Sequence, residues 1–336
     1  MKKTIDNIVP YKPIRLDCFR QALIPIIIHY NKIYQPLLLM NYVYLKYSDK
    51  LIFEDHWVRN NCDSYKDIGI FVCNDTVTVD DYINKICTYI DNDIPVISLM
   101  DLFYNKLYPS VYLSLHSKHG VPVYGYDKEN KLFDILDADY VEDFRKKKCK
   151  IEFQTMIDCF IGWSHNYNRD NKYIISITPI TGLSWIDNIE KSVQLYRSLL
   201  DEPEVIESSK DLEIFYEWFL HEHNNEAVIM QAIGNICNCF NKVINGRLLE
   251  HDGYLEIFDS SKIAPIVSYL EELINEYNFF RAILYKTFYS KKYNGEYFER
   301  GVNSLNKILK LEKEHLDYIG KYLTLDNIHR ENFICL

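Results

Sequence analysis

Three residues stand where a thiol could be made into a nucleophile: Cys18, His119 and Asp137. Asp17-Cys18 precedes Phe19 to Tyr30, a stretch with a helical apolar pattern despite Pro25. A thiol at a helix N-terminus meets the positive end of the helix dipole, which favours its thiolate form, and an imidazolium in contact favours it further. The segment from His119 to Asp137 reads as a hairpin, because the polar, turn-forming Asp127 to Asn130 lies between two β-prone runs. With a loop of four or five residues, Asp137 is expected opposite His119 or one position off it. Directly paired side chains sit about 5 Å apart at Cβ and diagonal ones about 7 to 8 Å apart. The carboxylate can then hold one imidazole nitrogen and leave the other for the thiol, the division of labour of a catalytic triad. Taken alone the spacing is not specific, since a lone histidine on a strand and a lone helical cysteine are more often packing residues.

These residues need elements to hold them. Up to about residue 180, short β-rich runs alternate with helical stretches; Val121 to Tyr126, Leu132 to Leu136 and Tyr173 to Ile177 read as strands. After Pro179 and Gly182 the pattern turns helical. From Ile263, the apolar positions Ile266, Leu270, Leu273, Tyr277, Phe280, Leu284 and Phe288 step by three and four. A second stripe runs through Phe298, Val302, Leu305, Leu309, Leu316, Ile319 and Leu323, and Lys291 to Gly295 forms a connector between them. Helices are also expected over Ile186 to Leu200, Leu212 to His221 and Ala227 to Ile244. The expected architecture is α+β over 1–180, followed by an all-α domain over 181–336.

The stretch Ile94-Pro95-Val96-Ile97-Ser98-Leu99-Met100-Asp101-Leu102-Phe103-Tyr104, followed by Tyr112, His119, the Gly125-Tyr126-Asp127 turn and Asp137, resembles the N-terminal family of butirosin biosynthesis protein H. The order of histidine, Gly-Tyr-Asp turn and aspartate is shared with bacteriocin-processing cysteine peptidases, and Asp17-Cys18 is similar to the Asp-Cys at their nucleophile. The resemblance covers residues 10 to 180 and implies a papain-like domain with an antiparallel sheet, with Cys18 as nucleophile, His119 as base and Asp137 as orienting carboxylate. It further implies acyl transfer in secondary metabolism, from the phosphopantetheine arm of an acyl or peptidyl carrier protein to an amine, with no cofactor of the enzyme's own. A thioesterase or cysteine peptidase with the same triad, and a catalytically silent accessory protein on the same fold, are the alternatives. Papain-like peptidases carry a glutamine about six residues before the cysteine, where this chain has Lys12; a backbone N–H at the helix start, or Gln21, could take its place at an oxyanion. The aromatic or aliphatic residue expected after the histidine is Gly120. Both departures weaken the peptidase reading more than the acyltransferase one.

With 336 residues, 48% hydrophobic and 26% charged, the chain has globular composition. A formal charge of -10 argues against nucleic acid and anionic membranes as partners and suits a cationic acceptor such as a diamine, polyamine or aminoglycoside. An acidic carrier protein would then need a local basic patch, and Arg145, Lys146, Lys147 and Lys148 form the densest one, although a solvated loop is the blander account. Nine cysteines without framework spacing read as reduced thiols, and Met1 to Asn7 does not look like a secretory signal, so a cytoplasmic protein is expected. His221-Glu222-His223 and Cys237-Asn238-Cys239 match no zinc spacing, and no metal is expected. Glu312-x-x-His315 has the spacing of a di-iron bundle motif without a second copy and reads as a solvated helix face.

Overall fold

The computed structural model describes residues 1–11, 18–32, 34–39, 41–47, 50–57, 65–66, 69–138, 146–167, 172–182 and 185–330. The chain divides into two compact units, one of residues 1–34 and 61–185 and the other of residues 35–60 and 186–336.

The first unit is an antiparallel sheet with helices. Its strands are β1 (Lys2–Thr4), β4 (Ile70–Thr76), β5 (Val96–Asp101), β6 (Lys118–Asp127), β7 (Leu132–Ala138), β8 (Lys146–Glu152) and β9 (Tyr173–Pro179). They run in the order β4-β9-β5-β6-β7-β8, and β1 is added to β6. Along one side of β6, β5 pairs with the first half of the strand and β1 with the last three residues. The helices of this unit are α1 (Cys18–His29), α3 (Tyr82–Asp91) and α4 (Phe153–Tyr167). Alternating apolar residues of β5, β6 and β7 meet Tyr82, Ile86 and Ile90 of α3 and Met156, Phe160 and Trp163 of α4 in one core. The Tyr82 and Phe160 rings stack within it at 4.2 Å.

The β6–β7 register contains the detail on which the site depends. Asp127 faces Leu132, Tyr126 faces Phe133 and Gly125 faces Asp134, but Val123 then faces Ile135. Tyr124 is thus the extra residue of a β-bulge. Continuing the shifted register places Asp137 across from Val121, which shares a strand face with His119. Without the bulge Asp137 would face Pro122, on the opposite face. The sequence expectation of a direct or one-off pairing is therefore corrected to a diagonal two positions away.

The run Lys146 to Lys150 lies in the edge strand β8, not in a solvated loop; Arg145 falls outside the described residues. A lysine-rich edge is a familiar way to discourage further strand pairing.

The second unit is built from α5 (Trp185–Leu200), α6 (Pro203–Glu222), α7 (Glu226–Ile257), α8 (Ser260–Ser290) and α9 (Gly295–Tyr322), with the short α2 (Pro36–Leu39) and the hairpin of β2 (Asn41–Tyr47) and β3 (Leu51–Trp57). The stripes of α8 and α9 are buried along most of their length. Lys291 closes α8 in the left-handed region at φ 54°, and the Asn294 side chain caps α9 by accepting from the Tyr297 N–H. Helices α6 and α7 run well beyond the expected Leu212 to His221 and Ala227 to Ile244. In α7 the reason is close packing: a Cβ at Gly246 would stand 2.8 Å from Val43 Cβ, and one at Gly253 would stand 2.7 Å from Leu39 Cδ2. These glycines admit β2 and α2 to the helix surface rather than ending it.

Candidate active site

Cys18 is the first residue of α1 and is half-buried. Within the helix, Ala22 to Ile28 form an unbroken apolar run, and α1 packs on β6 and β5. At Gly120 an added Cβ would meet ordinary contacts, 3.4 Å from Leu99 Cδ2 and 3.9 Å from Phe19 Cα of α1.

His119 lies near the start of β6, 7 % exposed, and Asp137 near the end of β7, fully buried. His119 Nε2 stands 2.9 Å from Asp137 Oδ1. Cys18 is also a hydrogen-bond partner of the imidazole. With Nε2 facing the carboxylate, Nδ1 is the nitrogen left for the thiol. Burial acts to lower the imidazole pKa, but the charge and hydrogen bond of Asp137, followed by those of Cys18, override it and hold His119 up at about 9. The structure thus brings together the three residues singled out from the sequence.

A fourth residue joins them without having been foreseen. The Tyr108 hydroxyl donates to Asp137 Oδ1 and stands 2.9 Å from His119 Nε2, and the Tyr108 ring meets the imidazole edge-on at 5.4 Å. Tyr108 is 2 % exposed although it comes from an irregular segment. Asp101, buried at the end of β5, clamps both ends of that segment, its Oδ1 accepting from the N–H groups of Phe103 and Ser117 at 3.1 Å each. Its Oδ2 is engaged by Asn166 Nδ2 at 2.8 Å and by His116 Nδ1 at 2.6 Å, with the His116 ring stacked on Phe103. Inside the segment, buried Asn105 accepts from the Leu107 N–H at 3.0 Å. The sequence signal was available only in part: Asp101 belongs to the quoted family stretch, but nothing marks one tyrosine among 28.

Other thiols of the unit differ in setting. Cys159 of α4 is buried, and burial, reinforced by Asp158, Asp101 and Asp137, pushes its pKa up to about 12. Burial raises Cys87 to about 11. Cys18, by contrast, has a histidine partner.

The secondary candidates fall as follows. Gln21 lies one turn after Cys18 on α1, on the same side of the helix, and is half-buried. Lys147 faces Asp137 across the β7–β8 ladder and Lys148 faces Leu136, both side chains being exposed. The Lys148 ammonium lies 5.7 Å over the Tyr124 ring, and Lys150 is paired to Asp134. Lys12 and Asp17 lie outside the described residues. Among the described residues no group of three or more His, Cys, Asp or Glu side chains could hold a metal ion.

The expectation for Glu312 and His315 is overturned: both are buried inside the second unit. Arg247 forks onto Glu312 with two bonds of 2.9 Å and reaches Glu250 with a third. Tyr277 donates to Glu312 at 2.6 Å and Tyr196 to Glu250 at 2.7 Å, while His315 Nε2 stands 3.6 Å from Glu250. Arg247 first, after burial acting the other way, draws the Glu250 carboxyl down to about 2. The spacing was a signal misread, because Glu312 falls three residues after Leu309 and four before Leu316, on the apolar stripe itself.

Among the described residues no helix is long and apolar enough to cross a membrane. Neither the protein-family models nor the curated proteins searched contain a match to this chain.

Proposed function

We propose that the chain is a cysteine-dependent acyltransferase with a papain-like catalytic unit, forming an amide from a carrier-bound thioester and an amine. The observation that carries this reading is a thiol at the head of α1, hydrogen-bonded to a buried imidazole that a buried carboxylate orients. In the first step the Cys18 thiolate attacks the thioester carbonyl, the carbon–sulfur bond to the donor breaks, and His119 gives its proton to the departing pantetheine thiolate. One thioester replaces another, so the exchange is nearly balanced in energy. In the second step the amine attacks the acyl-cysteine, His119 takes the amine proton, and Cys18 departs as the thiolate beside the re-formed imidazolium. The amide lies well downhill of the thioester.

Developing negative charge on the carbonyl oxygen needs donors, for which the N–H groups at the start of α1 and the Gln21 amide are the nearest candidates. The net charge of -10 supports a cationic amine acceptor. Nine cysteines without framework spacing support a reducing, cytoplasmic setting.

Intact mass after incubation with a panel of acyl-pantetheine thioesters tests the reading. Wild type is expected to gain one acyl group and Cys18→Ala none. Added diamine should release the acyl group as amide; release only as free acid would replace the transferase by a thioesterase. No adduct from either pantetheine or carrier-protein donors, with Cys18 reacting as an ordinary thiol, would leave a non-catalytic binding protein.

A further inference from the structure

We infer that Tyr108 is a positioning residue of this site, its hydroxyl fixing the His119 imidazole and the Asp137 carboxylate in the arrangement that presents the imidazole to Cys18. The inference rests on the triad reading above and extends it to a fourth side chain.

The geometry leaves the hydroxyl few roles. A phenol has one proton, and here it goes to Asp137 Oδ1, so its oxygen faces Nε2 as an acceptor at 2.9 Å. Nε2 lies at the same 2.9 Å from Asp137 Oδ1. The three polar atoms therefore form a closed triangle in which the imidazole N–H is shared between carboxylate and phenol. Asp137 is fully buried, where a carboxylate keeps its charge only with donors aimed at it, and Tyr108 supplies one beyond the imidazole. The shared acceptor pair also restricts rotation of the imidazole about its Cβ–Cγ bond, so Nδ1 stays directed at Cys18.

Position 108 is built to hold this contact. The ring is buried, packs edge-on against the imidazole, and belongs to a segment tied at both ends to one buried carboxylate, Asp101. Through these contacts Tyr108 acts on His119 and Asp137.

The test uses the full chain and needs no knowledge of the substrate. Iodoacetamide alkylation is followed at Cys18 by peptide mass spectrometry across pH, in wild type, Tyr108→Phe and Tyr108→Ala, with thermal melting of each. Tyr108→Phe keeps the ring and removes one oxygen. It is expected to move the rising limb of the Cys18 profile up by about one pH unit, a roughly tenfold slower reaction below the limb, with little change in melting. A wild-type profile for Tyr108→Phe, with a shift only in Tyr108→Ala, would make ring packing the whole contribution and overturn the role of the hydroxyl. If wild-type Cys18 itself shows an ordinary thiol limb, the triad reading fails first and this inference with it. Should Tyr108→Phe not fold, nitrogen NMR of histidine-labelled wild type gives a second reading. His119, once neutral, is expected as the Nε2–H tautomer; an Nδ1–H tautomer would turn the phenol O–H toward Nε2 as its acceptor and would overturn the arrangement.

Discussion

At the scale of single residues, His119 is where burial and charge oppose one another. A buried imidazole ordinarily loses its proton easily, yet Asp137 and Cys18 together hold it protonated to about pH 9. Because the folded value is raised above the ordinary 6.5, the stabilisation from this proton is complete below about pH 6.5 and is lost as pH rises through about 9. Urea unfolding of wild type should therefore weaken between pH 7 and 10 more than that of His119→Gln. Equal pH slopes for the two proteins would mean that the imidazolium is not held by the fold. Cys18, His119 and Asp137 were legible because their residue types are few and the hairpin places two of them. Tyr108 was not, because it sits in an irregular segment where periodicity gives no burial signal, and its partners are set by tertiary packing.

At the scale of elements, the β6–β7 hairpin and α1 assemble the site. The Gly125 that follows the bulge lies so close to β7 and β1 that an added Cβ would stand 2.5 Å from Asp134 Oδ2 and 2.9 Å from Thr4 Oγ1. Those two atoms are hydrogen-bonded to each other, so neither moves freely. Gly125→Ala is expected to cost about 1–3 kcal/mol by overpacking and to slow Cys18 alkylation by disturbing β6, the strand that carries His119. Unchanged stability in urea titration would show that β1 yields instead. Both strands were legible from their β-prone runs, but the bulge was not: Val123-Tyr124-Gly125 carries a glycine and nothing else that signals a change of register. The lysine run of β8 misled in the opposite way, since charge suggested a loop where an exposed edge strand is the actual setting.

At the scale of the whole chain, the two compact units hold their polar groups differently. Cys18, His119, Asp137 and Tyr108 all belong to the first unit, and Arg247, Glu250, Glu312 and His315 all belong to the second. The second cluster is a buried ion network whose worth lies in being complete: removing one partner strands the others in a dry interior. Arg247→Met is expected to destabilise the helical unit by about 3–5 kcal/mol, read as a lower urea midpoint in helical circular dichroism. A midpoint within error of wild type would show that Glu250 and Glu312 are not charged there. The long helices were legible as stripes. Their polar interior was not, because residue type alone points Glu312 and His315 to solvent, whereas their place on the stripe points them inward.

The bulge at Tyr124 also separates two kinds of change in chain length. Asp127 to Lys131, at the hairpin tip, faces solvent and is ordered locally by Asp127, whose side chain accepts from the Glu129 and Asn130 N–H groups. Residues added there lengthen a turn and leave the ladder behind it in phase. A single residue gained or lost between the bulge and either His119 or Asp137 reverses the phase and sends the two side chains to opposite faces of the sheet. The tip is thus a natural place to graft a tag or reporter onto this chain, a few residues in sequence from a stretch where one residue either way would separate the histidine from its carboxylate.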